Sequence, residues 1–177
     1  MIEPDPDWER RLAALWADLD SHAEADFRDR MLALTAELPQ DSPVAPFENG
    51  GAYDSTGDPE RAAQLYAAAL GAGLQGIRRR RAVIQLASSR RNLGAPDEVL
   101  RLLTAEAAAG SDELDGALAT FRALVLADLG REREGLAVAL TALSAYLPRY
   151  NRSVARYAQA LLDPPDRGPL VAGPPAD

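Results

Sequence analysis

The sequence predicts an all-α chain of stacked helical hairpins, and three observations carry that reading. First, a turn glycine followed by an acidic helix start recurs as Thr56-Gly57-Asp58-Pro59-Glu60, Leu93-Gly94-Ala95-Pro96-Asp97-Glu98 and Leu129-Gly130-Arg131-Glu132, which sets the glycines 37 and 36 residues apart. Equal spacing of that size belongs to hairpins that stack on one another. Second, 35 of the 177 residues are alanine and no stretch alternates β-branched with polar residues, so helix is favoured over strand. Third, the apolar residues between these turns recur at three and four residue intervals, the period of a helix with one buried face.

Taken in order, Trp8, Leu12, Leu15, Trp16 and Leu19 give an amphipathic helix over residues 7–19 with both tryptophans on its apolar side. Ser21 and Glu24 fit a capping box for the next helix, whose stripe is Phe27, Met31, Leu34 and Leu38 and which Pro39 ends. Ser42-Pro43 starts a helix with proline in its first turn and carries it to about Thr56. Gly57 breaks that helix, Asp58 caps the following one, and Pro59 opens it. That helix runs to about Leu70, where Gly71-Ala72-Gly73-Leu74-Gln75-Gly76 releases the chain; with no strand before it, this string is a connection between repeats and not a dinucleotide fingerprint. Further pairs are expected at 77–93 with 96–109 and at 112–129 with 132–145, the latter started by Ser111 and Asp112. A last helix covers 151–162. The whole reads as an acidic helical pair or cap over 1–41, hairpin repeats and a capping helix over 42–162, and a tail over 163–177 whose five prolines and two glycines predict disorder.

Composition narrows the function classes. With no cysteine there is no disulfide framework, thiolate nucleophile or zinc-thiolate site, and a reducing, cytoplasmic setting is expected. No segment approaches a membrane span, and the amino terminus lacks a signal-peptide pattern. All 19 basic residues are arginine, and the net charge of -8 is unevenly spread. Residues 1–41 hold 11 acids and 4 arginines, whereas 77–101 hold 7 arginines and 2 acids. That balance disfavours nucleic acid as the partner of the whole chain. His22 is the only histidine and lies beside a helix start, so neither a serine triad nor a metal site is expected, and no cofactor is expected either. Ser88-Ser89 has no strand-to-helix elbow, so neither serine reads as an activated nucleophile.

Repeats starting at Pro43, Arg80 and Gly116 put Gly50, Ala87 and Ala123 in the eighth position and Ala62, Val99 and Gly135 in the twentieth, small residues where two helices of a hairpin touch. Large residues fall at Tyr53, Tyr66, Leu86, Leu103 and Leu126. This pattern resembles the tetratricopeptide repeat. The strings Tyr53-Asp54-Ser55-Thr56-Gly57, Ile84-Gln85-Leu86-Ala87-Ser88-Ser89-Arg90-Arg91-Asn92-Leu93-Gly94 and Leu147-Pro148-Arg149-Tyr150-Asn151-Arg152-Ser153 are similar to the bacterial group-five tetratricopeptide family over residues 43–160. Pro46, Val83 and Ala119 stand where tryptophan is usual, and Glu106 replaces a small residue. The resemblance implies a right-handed superhelix of about three hairpins that serves protein interaction, without an assigned reaction.

It also implies that the first helix of each hairpin lines the concave side, with recognition at the second, fifth, sixth, ninth, twelfth and thirteenth positions. In the middle repeat these are Arg81, Ile84, Gln85, Ser88, Arg91 and Asn92, which share about a third of the helix circumference opposite Val83, Leu86, Ala87 and Leu93. An arginine fork holds a carboxylate in bidentate fashion, so an acidic or extended protein segment is the expected ligand. Asp54 and Ser55 in the first repeat, Thr120, Leu124 and Asp128 in the third, and Arg149 and Arg152 before the last helix extend that face. Phe47 and Gly51 stand where the family's chaperone-tail clamps need lysine and asparagine, so that ligand is disfavoured. The competing expectation is a homodimer through the solenoid ends, with Trp8 and Trp16 covering an end either within the chain or against a second copy.

Two arginine features stand apart from the face. Arg78, Arg79, Arg80 and Arg81 sweep about 300° of a helix and cannot share one groove, so acids from the first 41 residues are expected to fold back on them. Arg90 lies in the apolar arc, which predicts a buried stem paired to Asp54 or Asp128.

Overall fold

The structure is a computed structural model and describes residues 4–163. Among the described residues every regular element is helical: α1 (Pro6–Ala17), α2 (Glu24–Thr35), α3 (Val44–Ser55), α4 (Pro59–Gly71), α5 (Gly76–Asn92), α6 (Pro96–Ala109), α7 (Asp115–Asp128), α8 (Glu132–Ser144) and α9 (Asn151–Ala160), with one 3-10 turn at Leu19–Ser21. Pairs α3/α4, α5/α6 and α7/α8 form hairpins, each packed on the next, with α1 and α2 at one end and α9 against α8 at the other. The expected disordered tail lies outside the described residues.

The three turn glycines do what the spacing predicted. Gly57, Gly94 and Gly130 have φ of +81°, +81° and +70°, a left-handed backbone that a side chain resists. Each lets the chain reverse directly into the next helix. At the first turn the Asp58 carboxylate accepts from Arg61 N at 3.0 Å, and Pro59 occupies the opening position, where a missing N–H costs nothing. The small residues also face each other. A Cβ on Gly50 would lie 2.9 Å from the Tyr66 ring, and one on Gly135 would lie 2.8 Å from the Ala123 carbonyl oxygen. Ala62 is buried in α4, and Ala87 and Val99 are buried together in the α5/α6 hairpin.

Two apolar clusters form the core. The larger joins Trp8, Leu12, Phe27 and Met31 of α1 and α2 to Val44, Phe47, Tyr66 and Leu86; the smaller joins Ile84 and Ala87 to Val99, Leu103, Leu118 and Val125. Helix α5 contributes to both, so it is the rod through which the two halves of the core communicate.

Several local starts and stops differ from the expectation, each because a nearer partner wins. Ser21 ends the 3-10 turn, its N–H donating to Asp18 O at 3.0 Å, and α2 is preceded by Ala23 without a side-chain cap, so no Ser21/Glu24 capping box forms. Helix α2 stops at Thr35, four residues short of Pro39, where the Thr35 hydroxyl donates to Met31 O and lies 2.9 Å from both that oxygen and Asn49 Oδ1. Pro43 sits one residue before α3 and not within its first turn. Helix α7 begins at Asp115 because the Asp112 carboxylate accepts from Leu114 N at 2.8 Å and folds residues 112–114 into a turn.

Candidate protein-interaction face

Helices α3, α5 and α7 are the first helices of their hairpins, and the repeat register decides which of their residues align. Gln85 and Ser88 in α5 correspond to Glu48 and Gly51 in α3, yet the two helices meet different fates there. Trp16 of α1 lies over Gly51, with ring carbons 3.0 Å from where a Cβ would stand, and its indole N–H donates to Glu48 Oε2 at 3.1 Å. Helix α1 therefore covers on α3 the register that is only half-buried on α5. Trp8 is also used internally, its indole donating to Leu34 O at 2.9 Å.

On α5, the Arg81 guanidinium is stacked 5.2 Å from the centroid of the Phe47 ring, which anchors the side chain at the border between the covered and uncovered parts. Ser88 is half-buried and Asn92 is exposed. The Gln85 side-chain oxygen is buried and accepts no hydrogen bond among the described residues. Arg91 forks onto Asp128 of α7, one bond running from Nη2 to Oδ1 at 2.9 Å and a second from Nε to Oδ2. This pair holds the Asp128 carboxyl below the usual carboxylate range and raises the Arg91 guanidinium. Arg91, Asn92, Gly94, Pro96 and Asp128 together line a cleft of about 310 Å³ at one end of the face. Repeat spacing held the signal for this pairing: Asp128 stands in the register of Asn92, the residue after Arg91, so successive first helices bring the same part together.

Other predicted site residues lie elsewhere. Asp54 is half-buried among α3, α4 and α5, accepting from the Ser89 hydroxyl at 3.2 Å and the Tyr66 hydroxyl at 3.4 Å. Burial pushes its carboxyl up, and those two bonds oppose the shift. Arg149 and Arg152 are exposed beside α9 and form no ion pair among the described residues.

The arginine run is satisfied piece by piece. Arg78 reaches Glu9 at 2.7 Å and Glu48 at 3.1 Å, and Arg79 meets Glu106 at 2.7 Å. Arg80, only 6% exposed at its side chain, meets Asp112 at 2.9 Å and also Asp115. The first 41 residues thus supply one of these acids, Glu9; the rest come from α3, α6 and the approach to α7. Glu106, whose placement departs from the small residue expected there, is 5% exposed and answers Arg79 with both oxygens. Arg90 pairs with Glu98, not with Asp54 or Asp128, since Glu98 opens the partner helix of its own hairpin and the other two carboxylates are engaged by Ser89, Tyr66 and Arg91.

A family model described as Tetratrico peptide repeat matches residues 43–161. This chain belongs to the tetratricopeptide-repeat family. Comparison with curated proteins and with solved structures finds no match. As a tetratricopeptide-repeat protein the chain is a helical scaffold for protein interaction, and its matched region runs from the start of α3 through α9. Among the described residues no cluster of His, Asp or Glu is arranged to hold a metal ion, and no helix is long and apolar enough to cross a membrane. His22 sits between Asp18 at 3.4 Å and Asp26 at 3.0 Å, a role in local structure at the entrance to α2.

Proposed function

We propose that this tetratricopeptide-repeat protein binds an extended, acidic segment of another protein along the α5–α7 face, with Arg81, Gln85, Ser88, Arg91 and Asn92 as its contacts. The observation that carries the reading is the Arg91 fork on Asp128, a guanidinium already holding a carboxylate at the outer end of α5 with exposed Asn92 beside it. Arg91 adds selectivity: its present partner is a carboxylate, so an acidic ligand side chain replaces Asp128 with like chemistry. The lack of cysteine supports the cytoplasm as the place of work.

The test is capture of partners by the purified protein carrying Arg81→Glu and Arg91→Glu. Loss of capture with unchanged helicity supports the face; capture at the wild-type level refutes it.

One observation favours a second reading, self-association through the α9 end. Tyr146, Tyr150 and Tyr157 are 69%, 76% and 62% exposed there, whereas Trp8 and Trp16 are engaged within the chain. Exposed tyrosine beside arginine is the composition of an interface core. Sedimentation across a wide concentration range decides it, and a monomer throughout ends the reading.

A further inference from the structure

Helices α7 and α8 meet through side chains too small to fill the space between them. Gly116 and Ala119 on one side and Ala137 and Ala142 on the other leave a cleft of about 320 Å³ with mostly apolar walls. The cleft opens to solvent, and its volume lies at the lower end of the range for ligand pockets. A second cleft of about 670 Å³ separates α6 from α8, and Arg122, Val138 and Leu162 line both. Arg122 therefore stands at their junction.

Among the described residues the charge on Arg122 has no direct answer: it forms no ion pair, and its buried Nε donates to none of them. The acids that line the clefts are committed to other partners. Glu134 is gripped by Arg131 through bonds of 2.8 and 2.7 Å, and Asp115 is bound by Arg80 and Ser111. Arg131 is the main reason that the Glu134 carboxyl lies below its usual range, with Arg122 a weaker and more distant contributor. A guanidinium that lines an apolar wall with no carboxylate bound to it among the described residues is a charge that an incoming anion answers.

We infer that the α7/α8 cleft is a binding site for a free aliphatic carboxylate, its chain lying over the alanine floor and its head group on Arg122. Both halves of the ligand are specified. The walls offer an unbranched stem apolar contact, and a single guanidinium where the two clefts meet selects an anionic end over a hydroxyl. This site lies on different residues from the α5–α7 face, so the two readings fail separately.

The experiment titrates decanoate, decanol and acetate into the full chain and follows backbone amide shifts by NMR. Saturable decanoate binding is expected, with the largest shifts at Gly116, Ala119, Ala137 and Ala142 and weaker binding of both decanol and acetate. Arg122→Gln is expected to weaken decanoate by about ten-fold or more while leaving decanol within about two-fold, because a charge-assisted bond is lost and the apolar walls are kept. Ala142→Phe fills the cleft and is expected to block both, with an unchanged helical spectrum showing that the fold persists. Absence of saturable decanoate binding, equal affinity for decanol in the wild-type chain, shifts centred on other residues, or indifference to Arg122→Gln each overturns the site.

Discussion

Glu106→Gln is the most direct test of how the arginine run is held. The substitution keeps the shape of a side chain that is 5% exposed and removes its charge, so Arg79 loses two charge-assisted bonds, at 2.7 and 2.9 Å, and Arg80 loses a nearby carboxylate at 3.7 Å. Breaking a buried pair by removing one member costs about 3–5 kcal/mol when the survivor is stranded. Neither survivor is fully stranded here. Arg79 is 44% exposed and recovers water, and Arg80 keeps Asp112 and Asp115. The expected loss is accordingly about 2–3 kcal/mol, which for a chain of this size lowers the melting temperature by roughly 4–12 °C. The assay is thermal and urea unfolding followed by helical circular dichroism, with Glu134→Gln as the control, since Arg131 and Glu134 form a bidentate pair with both partners about half exposed. An exposed pair contributes little. If Glu106→Gln melts within a degree or so of the wild type, or falls no further than Glu134→Gln, the buried pair is not what secures the start of α5.

Four further substitutions probe other contacts. Asp54→Asn should raise the urea midpoint at neutral pH: burial raises the folded-state pKa of Asp54 above its unfolded value, so its contribution is fully present below the unfolded pKa and is lost as pH rises through the folded one. The variant's advantage should shrink on acidification through the carboxylate range, and an equal advantage at both ends would contradict the assigned shift. Gly135→Ala should destabilise by about 1–3 kcal/mol because the new Cβ meets a backbone oxygen of Ala123 that cannot step aside. Gly116→Ala should instead be neutral or gain a fraction of the roughly 0.5–1 kcal/mol usual for alanine in a helix, as its only close neighbour is the exposed Tyr146 ring; calorimetry of the two separates them by sign. Asp128→Asn should strengthen capture of an acidic segment by up to roughly a few-fold, because an exposed internal pair competes only weakly for Arg91; weaker capture would mean that Asp128 itself binds the partner.

The repeat architecture was legible in the sequence because its cause is local and recurs. Gly57, Gly94 and Gly130 are needed by their own backbone angles, and Gly50, Ala62, Ala87 and Gly135 by the closeness of two rods. Each such constraint acts within one hairpin, so periodicity alone exposes it. Capping was less legible, since Ser21 and Asp112 each had a competing turn within three residues, and propensity does not rank two plausible uses of one side chain. Ion pairing was legible only as a requirement. Four arginines at the start of α5 announce that acids must come to them, yet which acids come depends on how α1, α6 and α7 approach, and no spacing within α5 encodes that.

That approach explains why the run and the interaction face belong to one arrangement. Arg78 joins α1 and α3 to α5, Arg79 joins α6, Arg80 joins the entrance to α7, and Arg81 rests on Phe47 of α3. Four consecutive side chains pointing around the helix thus tie one end of α5 to α1, α3, α6 and the entrance to α7. With α1 held there by Glu9, Trp16 is kept over Gly51 and Glu48, and the face that remains begins at Arg81 and ends at the Arg91–Asp128 pair. A ligand that needed the α3 register would first have to displace Trp16 and with it the Arg78–Glu9 bond. One that uses α5 and α7 displaces only an exposed pair, and this difference in cost is the physical reason to look for recognition on α5 and α7.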